Sequence, residues 1–375
     1  MAVTRYGVND AEAVKLWARE LYRESIRKTY FYDFMGTGPN SLVQCKEDSE
    51  KGAGDRITVS LLANAQQPGV ASGGQIEGNE EAMRTYTDNV LIDQLDFATR
   101  TRNQGTIDVQ RVPYNLREQA RDFLSNLWKE RMDIALFNQL AGNTAQTDTR
   151  YTGMQATTAP TRVVRPSTIT ADESLTTSHK FTLSVLDKAV ALAEVKTASA
   201  VSRIRPVDIP IMNGSTGRQS GRYYRGVKYV AFLHNWQVHD LRTDASTAGS
   251  WYDIQQAALM GGEITNNPIF QGGDVVGVHN GVLIMKCESV PEGCDSGTPT
   301  TAVANTRRAV LCGAQAAICA FGQENKKGRM QWQEELFDYS QELGVDSRCI
   351  FGITKATFNS QDFGTIVMST YAAHP

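Results

Sequence analysis

The sequence predicts an α+β fold, and three observations support this prediction. Asn115 and Glu118 form a capping-box pattern before an apolar stripe that ends at Gly142, which predicts a helix of about 26 residues. Polar and apolar residues alternate on both sides of a long polar stretch, which predicts two strands at period two. After residue 180, helical patterns and apolar runs typical of buried strands follow one another, so helices and strands are mixed along the chain.

The first predicted element is a helix that begins after Asn9, where Glu12 completes a capping-box pattern. Its apolar stripe runs to about residue 29 and contains Val14, Trp17, Leu21 and Ile26. Basic side chains fall four residues apart on the same helix, at Lys15, Arg19, Arg23 and Arg27. Glu20 and Glu24 are spaced to pair with them along a solvated face, and a basic stripe that faces a genome is the alternative.

The stretch "GVASGGQIEGNEEAM" from Gly69 to Met83 separates the two predicted strands. Ile57, Val59 and Leu61 alternate with polar residues before it, and Tyr86, Val90 and Ile92 recur on one parity after it. The stretch itself offers almost no side chains to a core. A loop of this length inside a compact domain is typically functional, disordered, or evidence against the assignment of the flanking strands. We therefore expect a hairpin arm that finds its packing on another molecule, most economically a second copy of the chain.

The long helix after Pro113 is expected to be the backbone of the molecule. Its predicted stripe contains Leu116, Ala120, Phe123, Leu127, Ile134 and Phe137. Leu124, Trp128 and Met132 widen the apolar face, so the helix is expected to pack on two sides.

Shorter elements follow a polar connection at 143–180. Thr182 is placed to cap a helix, Val227–Leu233 reads as a buried strand, and Asn280-Gly281 is a strong hairpin signal. The run "RRAVLCGAQAAICAF" predicts a strand followed by a small helix. Period-two alternation returns in three C-terminal segments, Met330–Phe337, Cys349–Phe358 and Ile366–Tyr371.

Composition excludes several classes of protein. Of the 375 residues, 41% are hydrophobic and 21% are charged, an ordinary globular mix, and the formal net charge of −3 gives no basis for avid nucleic-acid binding. The longest mostly apolar run, Val310–Phe321, is too short to span a bilayer. The first ten residues lack the apolar stretch of a secretory signal, so a soluble, intracellular product with no membrane contact is expected.

The sequence contains no recognisable catalytic, cofactor or metal constellation. His234 and His239 are five apart, which does not fit H-E-x-x-H, and neither a G-x-S-x-G elbow nor a Walker A loop occurs. The single "DSG" at Asp295 lacks a partner for an aspartic dyad. No C-x-x-C occurs, so the cysteines are expected to be buried thiols; they are Cys45, Cys287, Cys294, Cys312, Cys319 and Cys349.

Nearly the whole chain resembles a known family. The blocks "GDRITVSLL", "IEGNEEAMRTYTDNVLIDQL" and "QRVPYNLREQARDFLSNLWKERMDIALFNQLAG" are similar to the major capsid proteins of tailed phages, in the family typified by N-four-like podoviruses. "YVAFLHNWQVHDLRTDA" and "NPIFQGGDVVGVHNGVLI" match later blocks, and the likeness is weak near 143–180 and 287–306. "EGNEEAM" together with the capped long helix is its most specific part.

The resemblance implies the tailed-phage major capsid fold, of the HK-ninety-seven type. Residues 1–35 would form an N-terminal arm, and residues 54–100 the extended loop, or E-loop. The segments 36–53, 101–179 and 331–375 would form a peripheral domain around a spine helix at 115–141. Residues 180–330 would form an axial domain that meets its copies at five- and six-fold centres.

The site residues expected on this basis are structural. The inter-subunit loop tip would comprise Gln66, Pro68, Gly69, Gly73, Gly74, Gln75, Glu77 and Glu80. The spine-helix core would comprise Leu116, Phe123, Leu127, Trp128, Ile134 and Phe137. The arm would contribute Trp17, Leu21 and Ile26.

The expected function is a shell that encloses packaged double-stranded DNA in the virion, assembled in the bacterial host cytoplasm and without enzymatic activity or cofactors. The expected partners are copies of the chain in hexamers and pentamers, a separate scaffolding protein, a portal at one vertex, a decoration protein, and DNA through weak non-specific contact. The scaffold is expected to be separate because only some fifty residues precede the loop, and they already read as the arm. The alternatives are an α+β hydrolase with an unrecognised site and a non-capsid virion protein such as a tail component.

Overall fold

A computed structural model describes residues 20–46, 55–62, 69–103, 107–111, 115–195, 203–207, 227–244, 250–260, 274–322 and 330–375. The α-helices in these ranges are α1 (20–27), α2 (Ile107–Arg111), α3 (Leu116–Ala141), α4 (Leu183–Glu194), α5 (Asn235–Thr243) and α6 (Trp251–Met260). The strands are β1 (Met35–Gly36), β2 (Val43–Lys46), β3 (Arg56–Leu62), β4 (Thr85–Leu91), β5 (Asp93–Arg102), β6 (Val163–Val164), β7 (Tyr229–Leu233), β8 (Val275–His279), β9 (Val282–Lys286), β10 (Gly293–Cys294), β11 (Ala302–Val303), β12 (Thr306–Cys312), β13 (Ala317–Phe321), β14 (Met330–Phe337), β15 (Glu342–Lys355), β16 (Thr357–Phe358), β17 (Gln361–Asp362) and β18 (Thr365–Tyr371).

Helix α3 begins and ends at its predicted caps. The Asn115 side-chain oxygen accepts a hydrogen bond from the Arg117 N–H at 3.0 Å, and the Asn115 amide donates to Glu118 at 3.4 Å. At the other end Gly142 has a left-handed φ of 62°. A Cβ at this position would lie 2.7 Å from the Thr158 carbonyl oxygen, so both conformation and space require glycine. The predicted helix of 26 residues is confirmed.

The buried face of α3 differs in part from the predicted stripe. Trp128 and Phe137 are fully buried, as expected. Phe123 is 56% exposed, so its assignment to the helix core is wrong for the subunit. The chain instead buries the neighbouring stripe that passes through Leu124 and Trp128. Three further residues of the predicted core are only half-buried: Leu116, Leu127 and Ile134.

Strand β15 is the centre of the first sheet, which has the order β1-β2-β13-β15-β14, with β5 also paired to β15. The first part of β15 pairs antiparallel with β14 and β5, and its last part pairs with β13. Helix α3 packs across this sheet, where the Trp128 ring meets Phe97 and Phe351 edge-on and its indole N–H donates to Ser347. This contact explains which stripe of α3 is buried.

The second sheet has the order β6-β18-β12-β7-β9-β8 and is apolar on both faces. In β7, Val230 and Phe232 face the core shared with α3, while Tyr229, Ala231 and Leu233 face a second core. Helix α4 and residues of α5 and α6 cover that second core. All five residues of β7 are buried, so the predicted buried strand is confirmed. Its sequence is a continuous apolar run because both faces of the strand are buried.

The two sheets do not follow the predicted boundary between 180–330 and 331–375. Strand β18 pairs along its whole length with β12 and belongs to the second sheet. Strand β13, on the other side of the boundary, belongs to the first sheet. The small helix predicted after β12 is also wrong, because Ala317–Phe321 is this strand. Pairing between strands distant in sequence sets sheet membership, and period-two alternation does not reveal the partner.

Short-range turn chemistry is confirmed at the β8–β9 hairpin. Asn280 and Gly281 both have positive φ, at 47° and 73°, as the predicted two-residue turn requires.

Candidate inter-subunit surfaces

Strands β3 and β4 form the predicted hairpin arm, paired from Arg56 opposite Leu91 to Leu62 opposite Thr85. The base of the arm is anchored in its own subunit. Val90 is fully buried in a small core with Ile318 and Phe358, and Ile57 packs against the same core. The Asp88 carboxylate also accepts a 2.8 Å hydrogen bond from the Thr357 N–H. The arm therefore projects from a fixed base.

The tip of the arm, residues 69–84, contrasts with this buried base. Every described residue of the tip except Glu81 is exposed, including Ile76 at 69% and Met83 at 83%. Its described hydrogen bonds are local, such as the 2.7 Å bond from the Gly78 N–H to Glu80. Apolar side chains held in water at the end of an arm favour a contact with another molecule.

The structure describes most of the predicted tip residues. Gly69 and Gly73 adopt positive φ of 83° and 89° with open space around them. Four more predicted tip residues are exposed: Gly74, Gln75, Glu77 and Glu80. Gln66 and Pro68 lie outside the described residues.

The predicted N-terminal arm is not a free segment over the part that is described. Leu21 and Ile26 are buried within the subunit, while Trp17 lies outside the described residues. The ring of Phe31 lies 4.9 Å from that of Phe137 on α3 and 4.8 Å from that of Phe232 on β7. Treating all of residues 1–35 as an arm outside the core is therefore wrong for residues 20–35. The apolar stripe of this helix indicated that its residues are buried, but not whether they are buried in their own subunit or against another one.

Charged contacts also hold this segment against α3. Glu20 and Glu24 both approach Arg121, at 3.1 and 3.7 Å, although the sequence suggested that they pair along their own helix. Lys28 donates to Asn126 at 2.9 Å. Arg23 and Arg27 on α1 are exposed.

Asp133 lies almost completely buried where this segment crosses α3. One carboxylate oxygen accepts a 3.2 Å hydrogen bond from the Tyr30 N–H, and the other has no hydrogen-bond partner. Burial raises the pKa of Asp133 to about 7, against smaller opposing effects of the Tyr30 N–H and Lys129. A carboxyl group with this pKa changes charge near neutral pH.

The outer face of the first sheet, opposite α3, carries a shallow cavity of about 330 Å³ lined by residues of β5, β14 and β15. The Arg100 guanidinium stacks over the Phe337 ring at 4.2 Å there. The nearby β14–β15 turn presents Tyr339 fully to solvent, on a backbone with φ of 50°. This exposed aromatic turn is a further candidate contact surface.

A buried ion network ties the end of α3 to the second sheet. The Asp172 carboxylate accepts from Arg165 and from Arg308, both at 2.7 Å. Arg308 also donates to the Gly142 carbonyl at 2.9 Å, which satisfies an orphan acceptor at the helix end. Both arginines hold the pKa of Asp172 below its usual range, although burial opposes them. Sequence reasoning missed this network, because its members are distant in the chain.

The described residues show no catalytic arrangement. His234 caps α5, accepting from the Trp236 N–H at 3.2 Å, and burial together with Arg307 lowers its pKa to about 4. In the described part of the chain no cluster of three metal-ligating side chains occurs. Among the helices described, none has the length and apolar character needed to cross a bilayer.

Comparison with known proteins identifies the family. The profile of the family described as "Phage capsid protein" matches residues 5–374. This chain belongs to that family. It is a structural protein of a phage capsid rather than an enzyme, and the hydrolase alternative has no support. These matches support the broad family and leave the N-four-like subtype a prediction.

Individual relatives agree with this assignment. The chain is 26% identical to the major capsid protein of Pseudomonas phage KPP25, over 95% of this chain and 94% of that protein. It is also similar to the capsid of Ralstonia phage GP4, with 27% identity, a TM-score of 0.70, and coverage of 100% of this chain and 96% of that one. The capsid of cyanophage Pam1 shares the fold at 20% identity, with a TM-score of 0.65 and coverage of 93% and 94%. The predicted tailed-phage capsid fold is confirmed.

Proposed function

We propose that this phage capsid protein is the major capsid protein of a tailed phage, which assembles with copies of itself into the icosahedral head that encloses packaged double-stranded DNA. The observation that carries this proposal is the hairpin arm. Its base is built into the subunit, while its tip holds the apolar side chains of Ile76 and Met83 in water. A second subunit covers these side chains.

The proposed assignment of parts follows from the same packing. The hairpin arm of β3, β4 and the tip acts as the E-loop and lies across a neighbouring copy in hexamers and pentamers. The predicted range 54–100 is too long at its end, because β5 pairs with β15 in the first sheet. Helix α3 and the first sheet form the peripheral domain, and the second sheet with α4, α5 and α6 forms the axial domain. Residues 20–35 join the two, because they pack against both α3 and β7.

The remaining proposed partners are other proteins of the head and the packaged genome. We propose, on the family resemblance, that a separate scaffolding protein directs assembly in the host cytoplasm. Uniform shells from the chain expressed alone would contradict this. A portal at one vertex and a decoration protein outside the shell are proposed on the family resemblance. The net charge of −3 supports only weak, non-specific contact with the genome.

The test is sedimentation and electron microscopy of the full chain, co-expressed with the other head proteins of its phage. The expected result is closed particles with icosahedral symmetry built mainly from this chain. A small monomer or dimer under all conditions, or tubes with the symmetry of a tail, would overturn the proposal.

A further inference from the structure

Two cysteines that are far apart in sequence lie side by side in the first sheet. Strand β2 pairs in parallel with β13, and the register places Cys45 directly opposite Cys319. Paired positions on neighbouring strands lie about 4.8 Å apart and direct their side chains to the same face. That separation falls within the Cα–Cα range of disulfides, about 4.4–6.8 Å. The register therefore brings the two Cα atoms within the range that a disulfide spans.

The two side chains also meet. Cys45 is the first cause of the raised pKa of the Cys319 thiol, which places the two side chains next to each other, as the register requires. Both side chains pack on the same large core. Cys349 lies in the same region but is displaced along β15, where the residue opposite Cys319 is Ile353. Register thus selects Cys45, and not Cys349, as the partner of Cys319.

The two thiols differ in access to solvent. All six cysteines are reduced in the structure, and Cys45 alone is half-buried while the other five are buried. The hydrogen bond to Cys45 and burial hold the pKa of the Cys319 thiol well above its usual range, so Cys319 is a poor first nucleophile. Cys45 is therefore the point of entry for an external reagent.

We propose that Cys45 and Cys319 form an intrasubunit disulfide when the protein meets an oxidising environment, and that this site is a redox modification site of the folded subunit. The oxidant is a small-molecule disulfide. The Cys45 thiolate attacks one of its sulfurs, which forms a mixed disulfide and releases one thiolate. Cys319 then loses its proton and attacks the Cys45 sulfur, and the second half of the reagent leaves as a thiol. Two protein thiols are oxidised, and one external disulfide is reduced to two thiols.

The bridge has a structural consequence for the particle. Strand β2 follows the segment that packs between α3 and β7, and a bond to β13 ties this segment covalently to the first sheet. Because the two residues are distant in sequence, the bridge restricts the unfolded chain strongly. The bacterial cytosol keeps thiols reduced and the extracellular medium does not, so the bond forms after release.

The test is incubation of the full-length folded protein with oxidised glutathione, then alkylation of remaining thiols and peptide mapping without reduction. The expected wild-type product is a peptide pair joined through Cys45 and Cys319, with four cysteines alkylated and a higher midpoint of thermal unfolding. Cys312→Ser, at a buried cysteine of the second sheet, is the matched control and should give the same pair. Cys319→Ser should stop at the first step, with one glutathione on Cys45, and Cys45→Ser should keep all its thiols.

Several outcomes would overturn the proposal. One is that the wild-type protein keeps all six thiols; another is that the joined peptide contains Cys349 in place of Cys45. An unmodified Cys45 in folded Cys319→Ser would refute the entry step. If that variant does not fold, the wild-type peptide map and Cys45→Ser decide the question without it. The result does not depend on assembly, so failure here and failure to form shells are separate findings.

Discussion

At the residue scale, two adjacent residues of α3 should differ in how much they contribute to the stability of the subunit. Leu124 is fully buried and Phe123 is 56% exposed. We expect Leu124→Ala to lower the free energy of unfolding by roughly 2–5 kcal/mol, because it leaves a cavity in the core. Phe123→Ala is the matched control and should change it by less than about 1 kcal/mol. Denaturant titration of the unassembled subunit measures both, and equal losses would mean that α3 is rotated from its described position.

Asp133 makes a second residue-scale prediction, about pH. Its folded pKa of about 7 lies above the unfolded value, so the folded state binds the extra proton between those two values. Stability contributed by the protonated group is therefore present at low pH and is lost as the pH rises toward 7. Relative to Asp133→Asn, the wild-type subunit should lose roughly 2–3 kcal/mol of unfolding free energy between about pH 5 and about pH 8.

The comparison needs both proteins at each pH, since other groups titrate in the same range. Unfolding midpoints of wild type and Asp133→Asn supply it. Parallel pH profiles for the two proteins would show that Asp133 is ionised in the folded state throughout, and the buried position would then need revision.

At the element scale, the hairpin arm combines a base that stabilises the subunit with a tip that does not. Deleting Gly69–Glu80 should leave a soluble subunit with unchanged unfolding free energy that fails to form stable shells, because every residue in this range is exposed in its own subunit. The double variant Ile76→Ser with Met83→Ser should weaken assembly in the same direction. Circular dichroism and sedimentation measure the two effects separately.

The control for the deletion is Val90→Ala at the base of the arm, which should destabilise the subunit because Val90 is fully buried. If the tip deletion unfolds the subunit, the tip packs within its own subunit and the proposed contact with a neighbouring subunit is wrong.

Helices and strands marked by caps, turns or alternation could be predicted from the sequence. The elements against which they pack or pair could not. The caps at Asn115 and Gly142 fix the ends of α3 because the groups they satisfy lie within a few residues. Which of two adjacent apolar stripes is buried depends on β5 and β15. Phe123 was therefore assigned to the helix core, while Leu124 was named only as widening the apolar face. Similarly, the alternation of polar and apolar residues predicted both ends of β14 correctly. It did not predict that β18 pairs with β12.

Among the candidate surfaces, too, features with a local sequence signal could be predicted, and features set by distant contacts could not. The exposed tip was predictable because its composition offers nothing to a core. Burial of Leu21 and Ile26 within the subunit was not, since aromatic contacts of the following residues with Phe137 and Phe232 hold that segment. The pairing of Cys45 with Cys319 is equally non-local and became visible only in the strand register.

At the scale of the whole molecule, the question is how the finished shell is held together. A covalent isopeptide lock through the arm would need an amine there, and the sequence contains no lysine from Gly52 to Trp128. Arginines in this range, such as Arg84, cannot replace it, because a guanidinium stays protonated at any relevant pH. No cysteine lies on the arm either, and the bridge proposed above is internal to one subunit. We therefore predict that the contacts between arms and neighbouring subunits are non-covalent.

Mature particles boiled in detergent with reductant should accordingly run as one band near the chain mass of 41.3 kDa. Without reductant, oxidised particles should still run as monomers, since a bond between Cys45 and Cys319 within one chain adds no mass from a neighbour. The bond closes a loop within the chain, which makes the denatured chain more compact, so the band should migrate only slightly faster. A ladder that survives reductant would reveal an amide cross-link outside the arm. A ladder that reductant removes would instead mean that the cysteines join different subunits.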